Sequence, residues 1–204
     1  SRRNLELVET LREKKKKGSL LWVLDKTRTA MGARTLRAYV EQPLIDRDEI
    51  EKRLEAVEEL TGNGMFRDEI REYLGPVYDL ERLISRIGDK SANPRDLIAF
   101  ASSLEMIPYI KQVLKDFKSP LLKQIYEDMD SLKDVADLIR SAIVEDPPLA
   151  QKDGGIIKEG YNEDVDKFRR SRTDGKKWLT ELEARERERT GIKSLKIKYN
   201  RVFG

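Results

Sequence analysis

From Ile50 to Ile143 the apolar residues return every three or four positions and never alternate with polar ones, so this stretch can fold only as a succession of helices. Ile50, Leu54, Val57 and Leu60 share one helical face, and Leu80, Leu83, Ile84 and Ile87 repeat the pattern. Leu97, Ala101 and Leu104 follow, then Ile110, Val113, Leu114 and Phe117, and finally Leu132, Val135, Ile139, Ala142 and Ile143. The punctuation agrees. Asp46, with Glu49 three residues on, has the spacing of a capping box, and Gly62-Asn63-Gly64 stops the helix it starts. Asn93-Pro94 and Ser119-Pro120 each set a capping side chain before a proline, whose missing N–H is harmless at the first helical position. Pro108 kinks or restarts its helix, and Asp146-Pro147-Pro148 ends the run. Upstream, Leu20, Leu21, Val23 and Leu24 open a short helix, and a second covers Ala30 to Glu41, closed by Gln42-Pro43. The expected fold class is all-α: an elongated multi-helix core bundle carrying a long helix and one terminal β-strand.

That long helix follows Gly154-Gly155 and Gly160. Tyr161, Val165, Phe168, Arg172, Gly175, Leu179 and Leu182 are spaced in alternating steps of four and three, a seam for packing on another helix, interrupted at Arg172 and Gly175. From Glu183 to Arg189 no apolar face remains. Such a helix is held by i,i+4 pairs, here Glu181–Arg185 and Glu183–Arg187, each worth about 0.2–0.5 kcal/mol, and typically bridges between domains as a strut. Beyond Gly191 the period changes to two. Leu195, Ile197 and Tyr199 alternate with Lys196, Lys198 and Asn200, which describes a half-buried strand with one basic face. A lone strand leaves its backbone groups unpaired, so its partners are expected in residues outside this chain or in another molecule. A first residue of Ser1 rather than Met agrees with a piece of a larger protein.

Composition narrows the chemistry. Of 204 residues 39% are charged, against about 25% in ordinary globular proteins, which suits long solvated helices. Cysteine and histidine are both absent, which excludes disulfides, thiolate nucleophiles, imidazole bases and Cys/His zinc sites. No apolar run approaches the roughly 20 residues of a membrane span and no signal-peptide pattern opens the chain, so a cytoplasmic location is expected and no membrane partner. Asp153-Gly154-Gly155 lacks a phosphate-loop frame, and Gly175-Lys176-Lys177 has neither the upstream glycine nor the following Ser/Thr; both read as turns or joints. The acidic pairs Asp128/Asp130 and Glu163/Asp164 carry no sign of a dry cleft, and Trp22 and Trp178 read as core residues. No catalytic, cofactor or metal residues are assigned. Charge is uneven: 13 Lys/Arg and 5 Asp/Glu lie between Lys167 and Arg201, a local +8 that leaves −5 for the rest of a chain totalling +3. A polyanion would meet the basic end; the plainer alternative is a solvated charged helix. The run Lys14 to Lys17 before Gly18-Ser19 reads as an exposed loop.

The motifs together resemble a known family. Leu20-Leu21-Trp22-Val23-Leu24-Asp25-Lys26-Thr27, continuing Thr29-Ala30-Met31-Gly32-Ala33-Arg34, is similar to the opening of the core domain of MutS DNA mismatch-repair proteins. Asp79-Leu80-Glu81-Arg82-Leu83 and Pro94-Arg95-Asp96-Leu97 resemble it further. Asp146-Pro147-Pro148, Asp153-Gly154-Gly155, Gly160-Tyr161-Asn162-Glu163 and Glu183 to Arg189 look like the family's lever region, and Leu195 to Asn200 like the first strand of its clamp. The resemblance implies a division into a lead-in over 1–18, a helical core over 19–160, a lever helix over 161–190 and the start of a clamp over 191–204. It implies a bacterial, nucleoid-associated parent that binds mismatched double-stranded DNA, works as a homodimer with partners such as MutL, and is an ATPase. ATP and Mg would be bound by a C-terminal P-loop domain, and mismatches read by an N-terminal Phe-x-Glu element. Neither occurs here, so the piece itself is expected to be a non-enzymatic scaffold and lever.

Two sets of residues carry functional expectations. Lys193, Lys196, Lys198 and Arg201 would touch DNA phosphates, with Asn200 as a hydrogen-bond donor; the alternative is that they only keep the clamp soluble. Gly175 would be a lever joint; the alternative is close packing against a neighbouring helix. Three other functional classes stand beside the scaffold: a helical protein-interaction module using the Tyr161–Leu182 seam, a stand-alone DNA-binding protein using the basic tip, and a divergent MutS relative acting outside mismatch repair.

Overall fold

A computed structural model describes residues 2–197. The chain divides between Ile156 and Ile157 into two compact units. Regular structure among the described residues is helical throughout: a 3₁₀ turn at Arg2–Leu5, then α1 (Leu20–Leu24), α2 (Ala30–Glu41), α3 (Arg47–Gly62), α4 (Gly64–Leu74), α5 (Leu80–Gly88), α6 (Pro94–Leu104), α7 (Ile107–Leu114), α8 (Pro120–Asp128) and α9 (Lys133–Ala142) in the first unit. The second unit holds α10 (Glu163–Thr190).

The first unit contains two cores. Leu83, Phe100, Ala101, Leu104, Ala136, Ile139 and Ile143 gather where α6 packs on α5 and α9. Ala56, Ile110, Leu114, Phe117 and Leu122 gather where α3, α4, α7 and α8 meet. Pro108 separates them. Its ring is incompatible with a helix continuing through residue 104, so α6 ends and α7 restarts with Pro108 in its first turn. One apolar run thereby supplies Ala101 and Leu104 to one core and Ile110 and Leu114 to the other. Pro94–Leu114 is, contrary to the expectation that no such run exists, long and apolar enough to count as a membrane span by length and composition. It is instead two helices whose apolar sides fill these cores.

Helix starts follow the local signals closely. Asn93 accepts from Asp96 N–H at 2.9 Å while Asp96 accepts from Asn93 N–H at 2.8 Å, a complete capping box. Asp46 accepts from Glu49 N–H at 3.0 Å, but the Glu49 carboxylate turns outward to Lys52 Nζ at 2.6 Å, so only half the expected box forms.

Four features differ from the sequence reading. α4 was not expected: Gly62-Asn63-Gly64 interrupts rather than terminates, with Asn63 closing α3 and opening α4, and Phe66, Ile70 and Tyr73 keep the helical spacing beyond it. Of the face expected over Ile50, Leu54, Val57 and Leu60 only Leu60 packs on the second core; the other three are exposed, because α3 turns its Ala56 side inward. Ser119 makes no cap bond and its hydroxyl is buried without a partner. The Glu59 carboxylate on α3 instead secures the chain just before the helix, accepting Lys118 N–H at 2.6 Å and Ser119 N–H at 2.8 Å. Trp22 is 47% and Trp178 61% exposed, so neither is a core residue. The five-residue α1 can turn only about one side chain per turn inward, and that one is Leu21.

Helix α2 buries no residue of its own. Polar contacts tie it down. Arg34 makes a bidentate pair with Asp79, the cap of α5, at 2.7 and 2.8 Å, and reaches Glu81 with Nε at 3.1 Å. The Arg53 guanidinium of α3 lies 3.7 Å from the centre of the Tyr39 ring.

Candidate nucleic-acid interface at the end of the long helix

Nothing in the second unit gives α10 an apolar bed. Tyr161, Phe168, Trp178 and Leu179 are all well exposed, so most of the seam has no partner among the described residues of this unit. What α10 has instead is a full set of terminal devices. Asn162 caps it by accepting Val165 N–H at 3.1 Å. Glu163, Asp164 and Asp166 stand in the first turn and Arg187 and Arg189 in the last, each sign matched to the helix dipole. Gly191 closes it with φ +72°, a left-handed conformation that glycine adopts without steric cost, and its N–H donates to Arg187 C=O at 2.9 Å.

The approach to α10 is set by glycines. Gly154, Gly155 and Gly160 all have positive φ, which accounts for their place in a connector. Asp166 is one of the few buried charged residues; its Oδ2 accepts Gly160 N–H at 2.7 Å and its Oδ1 pairs with Arg169 Nη1 at 3.2 Å. Arg169 Nη2 donates to Ile157 C=O at 2.7 Å.

At the far end the chain turns back. Leu195 N–H donates to Ile192 C=O at 3.2 Å, Arg187 Nε donates to Leu195 C=O at 2.7 Å, and Glu183 Oε2 accepts Ile197 N–H at 3.0 Å. Glu183 also pairs with Arg187, the i,i+4 contact expected from the sequence; the expected Glu181–Arg185 pair is not formed, and Glu186–Arg189 forms instead at 2.8 Å. Residues 195–197 belong to no regular element, and the rest of the expected strand lies outside the described residues.

Of the candidate DNA-contacting residues, Lys193 and Lys196 sit on this turn, exposed and without an ion-pair partner among the described residues. Lys198, Asn200 and Arg201 lie outside the described residues. Gly175 lies inside α10, which continues through it unbroken, and a Cβ added there would meet nothing within 4 Å. Close packing against a neighbour therefore does not account for it among the described residues. The acidic pairs Asp128/Asp130 and Glu163/Asp164 are exposed, and no group of side chains among the described residues could hold a metal ion.

A family model for MutS domain III matches residues 1–200. The DNA mismatch repair protein MutS of Lachnoclostridium phytofermentans is 65% identical over 204 residues, which is all of this chain and 22% of that relative. Those of Acetivibrio thermocellus and Clostridium botulinum strain Alaska E43 are 56% and 55% identical over the same span, covering 23% and 22% of their lengths. The chain thus spans about a fifth of the length of the curated relatives it matches. With the helical core, the glycine connector, α10 and its turned-back tip all inside one matched stretch, the chain belongs to the MutS domain III family.

Proposed function

We propose that this domain is the non-catalytic scaffold and lever of a MutS-type mismatch-recognition ATPase, coupling ATP-driven motion to a DNA-embracing clamp during mismatch repair. The observation that carries the reading is α10: a 28-residue helix that buries only Asp166 among the described residues, is secured at both ends and leads to the exposed Lys193 and Lys196. At 1.5 Å per residue it is about 42 Å long, so turning it by about 10° at its root displaces its tip by about 7 Å. The division is then a lead-in over 1–18, a core over 19–160, the lever over 161–190 and the start of the clamp over 191–204. Mismatched double-stranded DNA is met through the clamp, with Lys193, Lys196, Lys198 and Arg201 on phosphates and Asn200 as donor. The parent works in the bacterial cytoplasm as a homodimer, with partners such as MutL.

ATP and Mg belong elsewhere in such a parent. The glycines here fit no phosphate cradle, since Gly154 and Gly155 are followed by Ile156 rather than by Lys and Ser/Thr, and the described carboxylates form no metal cluster.

The test is Lys196→Glu with Lys198→Glu in the intact protein. Each lost phosphate contact lowers the slope of log affinity against log salt by about 1, so a fall of about 2 is expected. An unchanged affinity and slope refute the contact. A helical protein-interaction module is the second reading, favoured by the exposed seam of α10; tight DNA binding dependent on these lysines argues against it.

A further inference from the structure

The two ends of α10 carry the same device. At the N-terminal end, Asp166 accepts the N–H of Gly160 while Arg169, paired to Asp166, donates to the C=O of Ile157. At the C-terminal end, Glu183 accepts the N–H of Ile197 while Arg187, paired to Glu183, donates to the C=O of Leu195. In each case an acid and an arginine one turn apart clasp one N–H and one C=O of the flanking chain.

The second clasp has a particular geometry. A C=O at residue i and an N–H at residue i+2 are the groups that an extended strand turns to one edge, and a neighbouring strand meets them with one N–H and one C=O. Arg187 supplies the donor and Glu183 the acceptor. The helix end thus offers residues 195–197 the polar pattern of a strand edge, with both partners ionised and the bonds correspondingly stronger than neutral ones. Glu183 is only 25% exposed, whereas an ordinary helix-surface pair stands in water and contributes little. The neighbouring Glu186–Arg189 pair shows the contrast: its acid accepts no backbone N–H from the returning chain.

We propose that Asp166–Arg169 and Glu183–Arg187 are paired positioning clasps, and that Glu183–Arg187 docks residues 195–197 on the helix end so that the segment bearing Lys196 moves with α10 as one piece. Its consequence for DNA rests on the reading of the tip as a phosphate-contacting surface; the docking itself does not. The clasp is a polarity-specific contact. Reversing an ion pair that merely supports the helix costs it only a little, through the pair's order and the helix dipole, whereas docking requires the acid at 183 and the arginine at 187.

That difference defines the experiment. In the intact protein, Glu183→Arg combined with Arg187→Glu keeps an i,i+4 ion pair on the helix but presents a donor to Ile197 N–H and an acceptor to Leu195 C=O. Hydrogen exchange resolved at the Ile197 amide is expected to accelerate about tenfold in this double variant and in Glu183→Ala. Glu183→Gln, which keeps an acceptor oxygen, should recover most of the protection. Glu186→Arg with Arg189→Glu serves as the control and should leave Ile197 unchanged. Wild-type exchange at Ile197 in the polarity-reversed protein overturns the proposal. Accelerated exchange with undiminished DNA affinity and salt slope upholds the clasp and refutes instead the assignment of the tip to DNA.

Discussion

Replacing Glu59 should cost more than replacing Ser119, although the sequence marks Ser119 as the cap of α8. Glu59 reaches from α3 across 60 residues of chain to accept two backbone N–H groups, from Lys118 at 2.6 Å and Ser119 at 2.8 Å. These donors lie just before the first helical residue, Pro120, and bonds to an ionised acceptor are worth about 1.5–3 kcal/mol each when broken. Glu59 is partly solvated, so water recovers a share of that. A loss of about 2 kcal/mol is expected for Glu59→Ala, of the same order as a strong helix cap. The Ser119 side chain makes no cap bond to α8, so Ser119→Ala should cost less than about 0.5 kcal/mol. Urea unfolding of both variants, followed by far-UV circular dichroism, measures the difference. Acid supplies a second readout. Burial pushes the Glu59 carboxylate up, but the N–H groups of Ser119 and Lys118 outweigh it and leave it below its ordinary value. A carboxylate depressed in the fold contributes stability above its unfolded pKa and loses it as pH falls through the folded one, so the gap between wild type and Glu59→Ala should shrink on acidification. If Ser119→Ala proves the costlier change, the tertiary contact is refuted and the local cap restored.

The pair between Arg34 and Asp79 predicts another acid-sensitive contact. Hydrogen bonding to Arg34 holds the Asp79 carboxyl at about 2, so its contribution is complete above the ordinary 3.8 and disappears as pH falls towards 2; Arg34→Met should remove that part of the stability–pH profile. Gly175→Ala should raise stability by up to about 1 kcal/mol in thermal unfolding, since the position is an open helical site, and a destabilised variant would show that Gly175 is packed. If the stabilised variant also retains ATP-driven clamp release in the intact protein, Gly175 is no joint. Leu104→Ala should cost about 2–5 kcal/mol and Trp178→Ala less than about 0.5 kcal/mol, and comparable losses would contradict the exposure of Trp178.

Helix boundaries were legible wherever the signal was local. Asn93-Pro94 and Asp46 act within one turn of themselves, and both cap as their types require. What escaped was long-range. A single residue, Asn63, joins α3 to α4 where two glycines read as an end, and only the packing of Ile70 and Tyr73 on a core from α7 and α8 makes α4 worth forming. Which flank of α3 faces inward was likewise undecidable from Ile50, Leu54 and Val57, because α8 meets Ala56 and Glu59 instead. At the candidate interface, charge identified Lys193 and Lys196, and the Glu183–Arg187 spacing identified a pair. The spacing carried no hint that the pair reaches past the helix to Leu195 and Ile197, since a turn at Gly191 must first bring the backbone within reach.

The same point bears on how a helix such as α10 could serve the proposed lever role. Side-chain pairs on a solvated surface add only about 0.2–0.5 kcal/mol each, and helices in water are generally stabilised by burying a face. Among the described residues α10 has no such face; its one buried residue is Asp166. Fraying begins at the ends, so the free energy that keeps the rod intact is best placed there. Asn162 and Gly191 satisfy the end groups, and the two acid–arginine pairs bind the chain on either side back to the first and last turns. An apolar bed would have stabilised α10 equally well, but it would also have fixed the helix along its whole length. Among the described residues the side-chain anchors of α10 lie towards its ends, so the flanking segments follow the rod when its root turns, which is the mechanical property the proposed coupling requires.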